Sequence, residues 1–242
     1  MACQIEAYDD SMELLSDPEG LRARARDDGY LFFKGLLPAA PLLELRRQIL
    51  EILDRNGLLD PRAGLMEGKM DLEQVARSTP FVGCTEDVYR EVQRLESFHR
   101  LSHHPELLRV YKLLFGAEVL PHPRNIARVL FPGPQARATP PHQDHPHVQG
   151  SFQTWTAWFP LGDCPVELGG LSVLKESHHT GILDVKEAEG AGGLECILPD
   201  TQSAWLQTDF EAGDVLTFLS TNVHRGLPNQ LNDRVRISCD FR

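Results

Sequence analysis

Hydrophobic positions follow two different patterns along the chain. Up to about residue 117, apolar residues recur at spacings of three and four, which is the period of an amphipathic helix. From residue 118 onward, short apolar or alternating runs are separated by Pro and Gly, which is typical of strands. The pattern predicts a mostly helical first half and a β-rich second half.

The first half is predicted to hold one strand and three helices. In sequence order we expect a strand at 30–33, a helix from Pro41 to Gly57, an irregular connection over 58–84, and helices at 86–101 and 105–115. Pro suits the first turn of a helix and Gly suits the position just past its end. These helices are interpreted as packing elements, because an apolar stripe at helical spacing faces a core.

The second half is predicted to be an antiparallel sandwich or barrel of jelly-roll type. The runs IARVLFPG, TWTAWFPLG, GGLSVL, GDVLTFL and RVRISCDFR have no helical pattern between them. No linker or internal repeat divides the chain. We therefore expect one domain over 1–242, with 1–117 as a mostly helical flank carrying an early strand and 118–242 as the β core.

Composition and charge exclude several classes of protein. The 242 residues include 24 Lys+Arg and 35 Asp+Glu, a formal net charge of −11, and 41% are hydrophobic. Such an acidic chain repels phosphate backbones and anionic lipid, so neither nucleic acid nor a membrane is the expected partner. The beginning of the sequence has neither a basic nor an apolar targeting segment, and no long apolar run follows, so a cytoplasmic protein is expected.

The cysteines are odd in number and widely scattered. They are Cys3, Cys84, Cys164, Cys196 and Cys239, with no Cys-x-x-Cys pair. This fits neither a disulfide framework nor a thiolate zinc site. We expect reduced and mostly buried thiols.

Two histidines and an aspartate form the strongest chemical signal. His142 and Asp144 stand two apart in TPPHQDHPH, so on an extended strand both would share one face. His224 follows the predicted strand AGDVLTFL much later in the chain. Two imidazoles and one carboxylate on one face of an octahedral ion leave adjacent positions open, as in non-haem Fe(II) sites that bind a bidentate co-substrate and O₂.

A polar face on the last predicted strand supplies a partner for such a co-substrate. In RVRISCDFR the period of two separates a polar face from an apolar one; the polar face carries Arg234, Arg236, Ser238, Asp240 and Arg242. An Arg holds a carboxylate with two hydrogen bonds, and a nearby Ser hydroxyl adds another.

The segments TPPHQDHPHVQGSFQTWTAWFPLGDCPVELGGLSVLKESHH and VHRGLPNQLNDRVRISCDFR resemble the phytanoyl-CoA dioxygenase family of Fe(II)/2-oxoglutarate-dependent oxygenases. The resemblance extends over roughly 29–242, with the specific motifs in 128–242. It implies a mainly β protein with flanking helices and a double-stranded β-helix (jelly-roll, cupin-like) core. It also implies Fe(II) on His142, Asp144 and His224, with 2-oxoglutarate and O₂ as co-substrates. The implied reaction hydroxylates or otherwise oxidises an unactivated C–H of a small molecule and releases succinate and CO₂.

The resemblance also assigns the co-substrate contacts. Arg236, together with Ser238, is expected to hold the distal carboxylate of 2-oxoglutarate, and Arg234 is the second candidate. Trp158 and Thr154 match a strand that lines the co-substrate side in such proteins. Asp144 argues against the halogenases of the superfamily, which carry a small residue at this position so that chloride can bind. The usual Pro-Gly-Ser-His turn is replaced here by Lys-Glu-Ser-His at 175–178.

Other interpretations of these residues remain open. A cupin-like site holding Zn²⁺ or Mn²⁺, without 2-oxoglutarate turnover, would use the same three ligands. His145 and His147 crowd the motif, but 145 falls on the opposite face of the predicted strand and Pro146 interrupts it. We expect these histidines to face the substrate or to lie in a solvated loop. The glycine-rich loop over 179–197 is long enough to act as a lid.

Overall fold

The computed structural model describes residues 4–79, 81–133, 138–190, 192–199 and 203–242. The helices are α1 Pro18–Asp28, α2 Ala39–Arg55, α3 Leu72–Arg77, α4 Glu86–Val92, α5 Glu96–Leu101, α6 Pro105–Phe115, α7 His145–Val148 and α8 Val166–Gly169. The strands are β1 Ile5–Glu6, β2 Tyr30–Phe33, β3 Ile126–Leu130, β4 Trp155–Pro160, β5 Leu171–Leu174, β6 Val185–Glu187, β7 Leu194–Cys196, β8 Trp205–Leu206, β9 Val215–Leu219, β10 His224–Gly226 and β11 Arg236–Phe241. Short 3₁₀ turns occupy Met12–Ser16, Leu65–Glu67 and Ser177–Thr180.

The strands form two larger sheets that enclose an apolar core. One sheet has the order β2-β9-β4-β11-β3 with antiparallel neighbours, and the other has the order β1-β8-β5-β10. Side chains of both sheets meet between them, among them Trp158, Phe218, Leu171 and Val173. This is the predicted jelly-roll core with flanking helices.

The helices cover the outer face of the five-stranded sheet. Ile237, Cys239 and Phe241 of β11 belong to the same buried cluster as Ile49 of α2 and Val110 of α6. Arg236 and Asp240, which alternate with them, line a cavity on the other side of the strand. The period-two prediction is therefore confirmed over β11, which joins the helical layer to the interior of the barrel. Arg234, also predicted on the polar face, lies before the strand begins and is exposed.

The helix boundaries differ from the predictions where capping or a turn decides them. The helix predicted at 86–101 is two helices, α4 and α5, because Leu95 is extended with φ −71° and ψ 116° and starts a new turn. Inside the predicted irregular connection lies α3, whose first turn is capped by the carboxylate of Asp71 on the N–H groups of Glu73 and Gln74. The helix predicted from Pro41 begins at Ala39, whereas α6 has its predicted bounds.

Two N-terminal elements, β1 and α1, have no hydrophobic pattern that predicts them. The sequence of α1 is mostly polar, and Leu21 and Ala25 are its only buried residues. Asp17 caps its first turn through the N–H of Gly20, and Gly29 ends it in the left-handed region at φ +72°. β1 and β2 join different sheets, which supports the proposal that the chain is one domain.

The predicted loop over 179–197 contains a hairpin made of β6 and β7. The N–H of Cys196 donates to the carbonyl of Pro141, so the hairpin is anchored beside His142. Cys84, Cys164, Cys196 and Cys239 are buried and free, as predicted; Cys3 lies outside the described residues. No helix in the described part of the chain is long and apolar enough to cross a membrane.

Candidate active site

Backbone pairing brings the two predicted histidine ligands together. The N–H of His142 donates to the carbonyl of His224 at 2.9 Å, and the N–H of His224 donates back at 2.9 Å. The two ring centroids lie 4.1 Å apart. Since β10 is itself paired with β5, the position of His224 is fixed by the four-stranded sheet.

Asp144 reaches the histidines by a different route from the one predicted. It is not on an extended strand, because its φ of −69° and ψ of −32° place it at the start of α7. Its carboxylate Oδ1 nevertheless lies 3.9 Å from Nε2 of His224. The donor atoms of His142, Asp144 and His224 all lie within 4.8 Å of one another, and all three residues are buried.

Each imidazole presents one free nitrogen to this cluster. Nδ1 of His142 lies 2.8 Å from the carbonyl oxygen of Pro140, and Nδ1 of His224 lies 3.1 Å from that of Asn222. A carbonyl can only accept, so each Nδ1 carries the proton and each Nε2 keeps its lone pair. Burial lowers the pKa of His142 to about 3 and also lowers that of His224, so both rings are neutral, as metal ligation requires.

Two residues absent from the predicted ligand set hold the Asp144 carboxylate. The hydroxyl of Thr156 donates to Oδ2 at 2.6 Å. The guanidinium of Arg242 donates from Nη2 to Oδ1 at 2.8 Å and to Oδ2 at 2.9 Å, with Nε 3.2 Å from Oδ2. Burial opposes ionisation of this carboxyl, but the charge and hydrogen bonds of the Arg242 guanidinium hold its pKa well below the ordinary range. The site therefore contains a fixed carboxylate anion.

The two candidate arginines occupy different environments. Arg236 is buried and lines the same cavity as the three ligands; its Nη1 donates to the hydroxyl of Ser238, and its Nε has no acceptor among the described residues. Arg234 is exposed, with Nε 4.0 Å from a carboxylate oxygen of Asp233. Of these two arginines, Arg236 lines the cavity beside the three ligands and Arg234 does not.

The other two residues predicted to contact the co-substrate, Trp158 and Thr154, lie in different places. Trp158 lines the cavity, with its ring edge-on to Phe210 at 4.8 Å. Thr154 does not line it, because β4 begins only at Trp155 and Thr154 lies in a turn closed by its N–H on the carbonyl of Ser151. Strand alternation thus does not govern its side chain, and Thr156 takes the inward position. Thr156 lies two residues before Trp158 on the same strand, so strand alternation in the sequence also predicts that both side chains share one face.

Two cavities that share Arg128, His142, Asp144 and Arg242 in their walls adjoin the ligand cluster. The inner cavity is lined by Arg128, Thr139, His142, Asp144, Thr156, Trp158, Leu171, Phe218, His224, Gly226, Arg236, Asp240 and Arg242. The outer cavity, of about 250 Å³, is lined by Val82, Tyr89, Arg124, Asn125, Ile126, Arg128, His142, Asp144, His147, Val148, Gly192 and Arg242. The inner cavity measures only about 20 Å³, which is room for one water molecule. The long side chains that line this cavity therefore have to shift before a co-substrate can enter.

The two neighbouring histidines, His145 and His147, lie in different surroundings. His147 lines the outer cavity, with its ring centroid 5.9 Å from that of His142. His145 stacks on Phe152 at 4.2 Å. A substrate-facing role therefore remains a prediction for His147 alone.

The fold and the site define a jelly-roll protein with a buried two-histidine, one-carboxylate cluster, the donor set of non-haem Fe(II) oxygenases. Residues 25–237 match the family model of phytanoyl-CoA dioxygenase (PhyH), and the chain belongs to that family. It is accordingly an Fe(II)- and 2-oxoglutarate-dependent oxygenase.

Individual relatives agree with this membership. The chain is 26% identical over 253 residues to a 1-deoxypentalenic acid 11-beta-hydroxylase of Streptomyces arenae, covering 97% of this chain and 84% of the relative. Its fold matches that of the epimerase SnoN in complex with Fe³⁺, alpha ketoglutarate and nogalamycin RO, with a TM-score of 0.64, 20% identity, and 93% and 83% of the two chains covered. It also matches EvdO2 of Micromonospora carbonacea var. aurantiaca complexed with 2-oxoglutarate, with a TM-score of 0.57, 17% identity, and 91% and 88% covered.

Proposed function

We propose that the chain hydroxylates an unactivated C–H of a small molecule, with Fe(II) held by His142, Asp144 and His224. The observation that carries this proposal is the convergence of three donor atoms within 4.8 Å, with both Nδ1 atoms already engaged by backbone carbonyls. A cluster of this kind holds one face of an octahedral ion and leaves the opposite positions to co-substrates.

The surrounding residues are suited to hold 2-oxoglutarate. Bound iron, 2-oxoglutarate and O₂ supply the oxidising power for C–H cleavage, and the keto acid leaves as succinate and CO₂. Arg236 offers a buried guanidinium with one unused Nε–H, and Ser238 fixes its other side. We assign these two residues to the distal carboxylate, because charge-assisted pairs are strongest in desolvated sites. Trp158 forms the adjacent wall.

Hydroxylation is the favoured outcome among related oxidations. The Streptomyces relative is named as a hydroxylase, which supports this choice. SnoN, a protein of the same fold, is named as an epimerase, so the fold alone does not select the outcome. Asp144 fills the position that a halogenase would need open, and Arg242 and Thr156 both hold it there. The buried free thiols support action in a reducing compartment, which we propose to be the cytoplasm.

Turnover of 2-oxoglutarate separates this proposal from a cupin-like binding protein that uses the same ligands. With Fe(II), O₂ and 2-oxoglutarate, the wild-type protein is expected to release succinate slowly without substrate and faster with a suitable small molecule. Asp144→Ala is expected to release none, while retaining the circular dichroism spectrum of the wild type. Absence of succinate from the wild type, with Zn²⁺ or Mn²⁺ still bound, would favour the cupin-like alternative.

A further inference from the structure

The outer cavity is the space next to the ligand cluster in which a substrate can lie. It shares His142 and Asp144 with the inner cavity, and its walls include the apolar side chains of Val82, Ile126 and Val148. A larger apolar cavity of about 350 Å³ lies beside α6 on the outer side of the five-stranded sheet, but none of the three ligands lines it. We therefore place substrate recognition in the outer cavity; this step rests on the proposed function.

The charge around the two cavities is opposite in sign to that of the whole chain. Among the described residues that line them are four arginines, Arg124, Arg128, Arg236 and Arg242, and two aspartates, Asp144 and Asp240. This is an excess of two positive charges in a chain whose net charge is −11. Fe(II) and the 2-oxoglutarate dianion carry equal and opposite charges, so loading the site leaves the excess unchanged.

The pairings show which arginines carry this excess. Arg128 donates to a carboxylate oxygen of Asp240 at 3.1 Å, and Arg236 is assigned to the co-substrate. Arg124 donates to the carbonyl of His147 at 3.2 Å and forms no ion pair within the described part of the chain. Arg242 has an Nη1 that is buried and without an acceptor among the described residues.

We propose that the substrate is an apolar molecule carrying a carboxylate, and that Arg124 and Arg242 hold that carboxylate in the outer cavity. A metal ion held by Asp144 would take a share of the charge of that carboxylate, and the Arg242 guanidinium would then be less compensated. Two guanidinium groups match the two oxygens of a carboxylate. The apolar remainder of the molecule packs against Val82, Ile126 and Val148. The anionic group sets how the molecule lies over the metal and therefore which C–H is presented.

Three probes with one rigid apolar body test the charge preference directly. Adamantane-1-carboxylate, 1-adamantanemethanol and 1-adamantylamine are titrated by calorimetry into the protein loaded with Mn²⁺ and 2-oxoglutarate. The carboxylate is expected to bind about tenfold or more tightly than the alcohol, and the amine most weakly, because the buried Arg242 guanidinium gains a desolvated charge pair with the carboxylate and makes a like-charge contact with the amine. Arg124 is exposed, so Arg124→Gln is expected to lower carboxylate affinity by about two- to fivefold and to leave alcohol affinity unchanged. The matched control is Arg109→Gln, an exposed α6 arginine paired with Glu106, which is expected to change neither affinity.

Equal affinities for the carboxylate and the alcohol, a preference for the amine, or no binding of any probe would overturn the inference. Binding of 2-oxoglutarate to the Mn²⁺ protein is measured first in the same instrument. If 2-oxoglutarate binds and the probes show no anion preference, the substrate class is wrong and the oxygenase proposal stands. If 2-oxoglutarate itself does not bind, both fall together.

Discussion

The guanidinium of Arg242 lies against both carboxylate oxygens of Asp144, and the two side chains are 3% and 4% exposed. Nη2 of Arg242 contacts Oδ1, the oxygen that also faces His224. A positive charge of the protein thus contacts the same carboxylate that would serve as a metal ligand. A metal ion held by Asp144 would share this carboxylate with Arg242, which is the internal counter-ion of the ligand.

Removing Arg242 should therefore affect the metal-free protein most. In Arg242→Met the buried Asp144 carboxylate is left unpaired, which is expected to cost about 3–5 kcal/mol of stability. A divalent ion restores the missing charge, so Mn²⁺ should raise the Tm of the variant by more than that of the wild type. Thermal unfolding with and without Mn²⁺ measures both the loss of stability and the rise in Tm that the metal causes. Arg128→Met, which leaves Asp144 paired, is the control, and equal metal-induced shifts in Arg242→Met and wild type would contradict the counter-ion role.

The hydroxyl of Thr156 should matter for metal affinity, because it fixes Oδ2 of Asp144. Thr156→Val keeps the shape of the side chain and removes the donor. Partners of this kind are worth about 10–100-fold in metal affinity, and we expect a loss in that range by competitive chelation with Zn²⁺. Thr217→Val is the control, since the Thr217 hydroxyl contacts Tyr111. Unchanged affinity in Thr156→Val would show that Arg242 alone orients the carboxylate.

The two candidate arginines for 2-oxoglutarate should separate clearly. Arg236→Met removes a buried charge-assisted partner, worth about 2–5 kcal/mol, and is expected to weaken 2-oxoglutarate binding about 30-fold or more. Arg234→Met removes an exposed side chain beside Asp233 and should have little effect. Calorimetric titration of 2-oxoglutarate into the Mn²⁺ protein measures both variants. A larger loss of affinity in Arg234→Met than in Arg236→Met would assign the co-substrate to Arg234. Small losses in both variants would show that neither arginine binds 2-oxoglutarate.

Gly29 should be essential to the architecture behind the site. A Cβ added there would lie 2.4 Å from Nδ1 of His178 and 2.7 Å from Oδ1 of Asn222, whose own carbonyl holds His224. Gly35 has a similar positive φ but no atom within 4 Å of such a Cβ. Gly35→Ala is thus expected to cost about 1–2 kcal/mol for its left-handed backbone, and Gly29→Ala clearly more. Urea unfolding of the two variants measures the difference in the free energy of unfolding. Equal losses of stability would mean that the side chains around Gly29 move aside for the Cβ without an energetic cost.

The sequence predicts those elements in which apolar periodicity alone decides the structure. β2, α6 and the two faces of β11 follow directly from it. Apolar periodicity does not predict α1, because this helix has a mostly polar sequence and depends on the cap at Asp17 and on Gly29 at its end. The 86–101 segment divides because of one extended residue, Leu95, which no periodicity marks.

The candidate site shows the same division. His142, Asp144 and His224 could be chosen from residue type and spacing, although Asp144 reaches the cluster through a helical turn and not through a strand. The pairing of Asp144 with Arg242 could not, because these residues lie 98 positions apart and meet only when the sheet and α7 are assembled. Thr154 does not line the inner cavity, because strand alternation begins one residue later, at Trp155.

The absorption spectrum of the anaerobic protein with Fe(II) and 2-oxoglutarate tests the central claim most directly. A keto acid chelating Fe(II) on two imidazoles and one carboxylate gives a weak visible metal-to-ligand charge-transfer band. The wild-type protein is expected to show this band, saturating with 2-oxoglutarate, and Asp144→Ala is expected to lack it while remaining folded. A wild-type protein without the band at saturating 2-oxoglutarate, or an Asp144→Ala protein with the band at full intensity, would contradict the account.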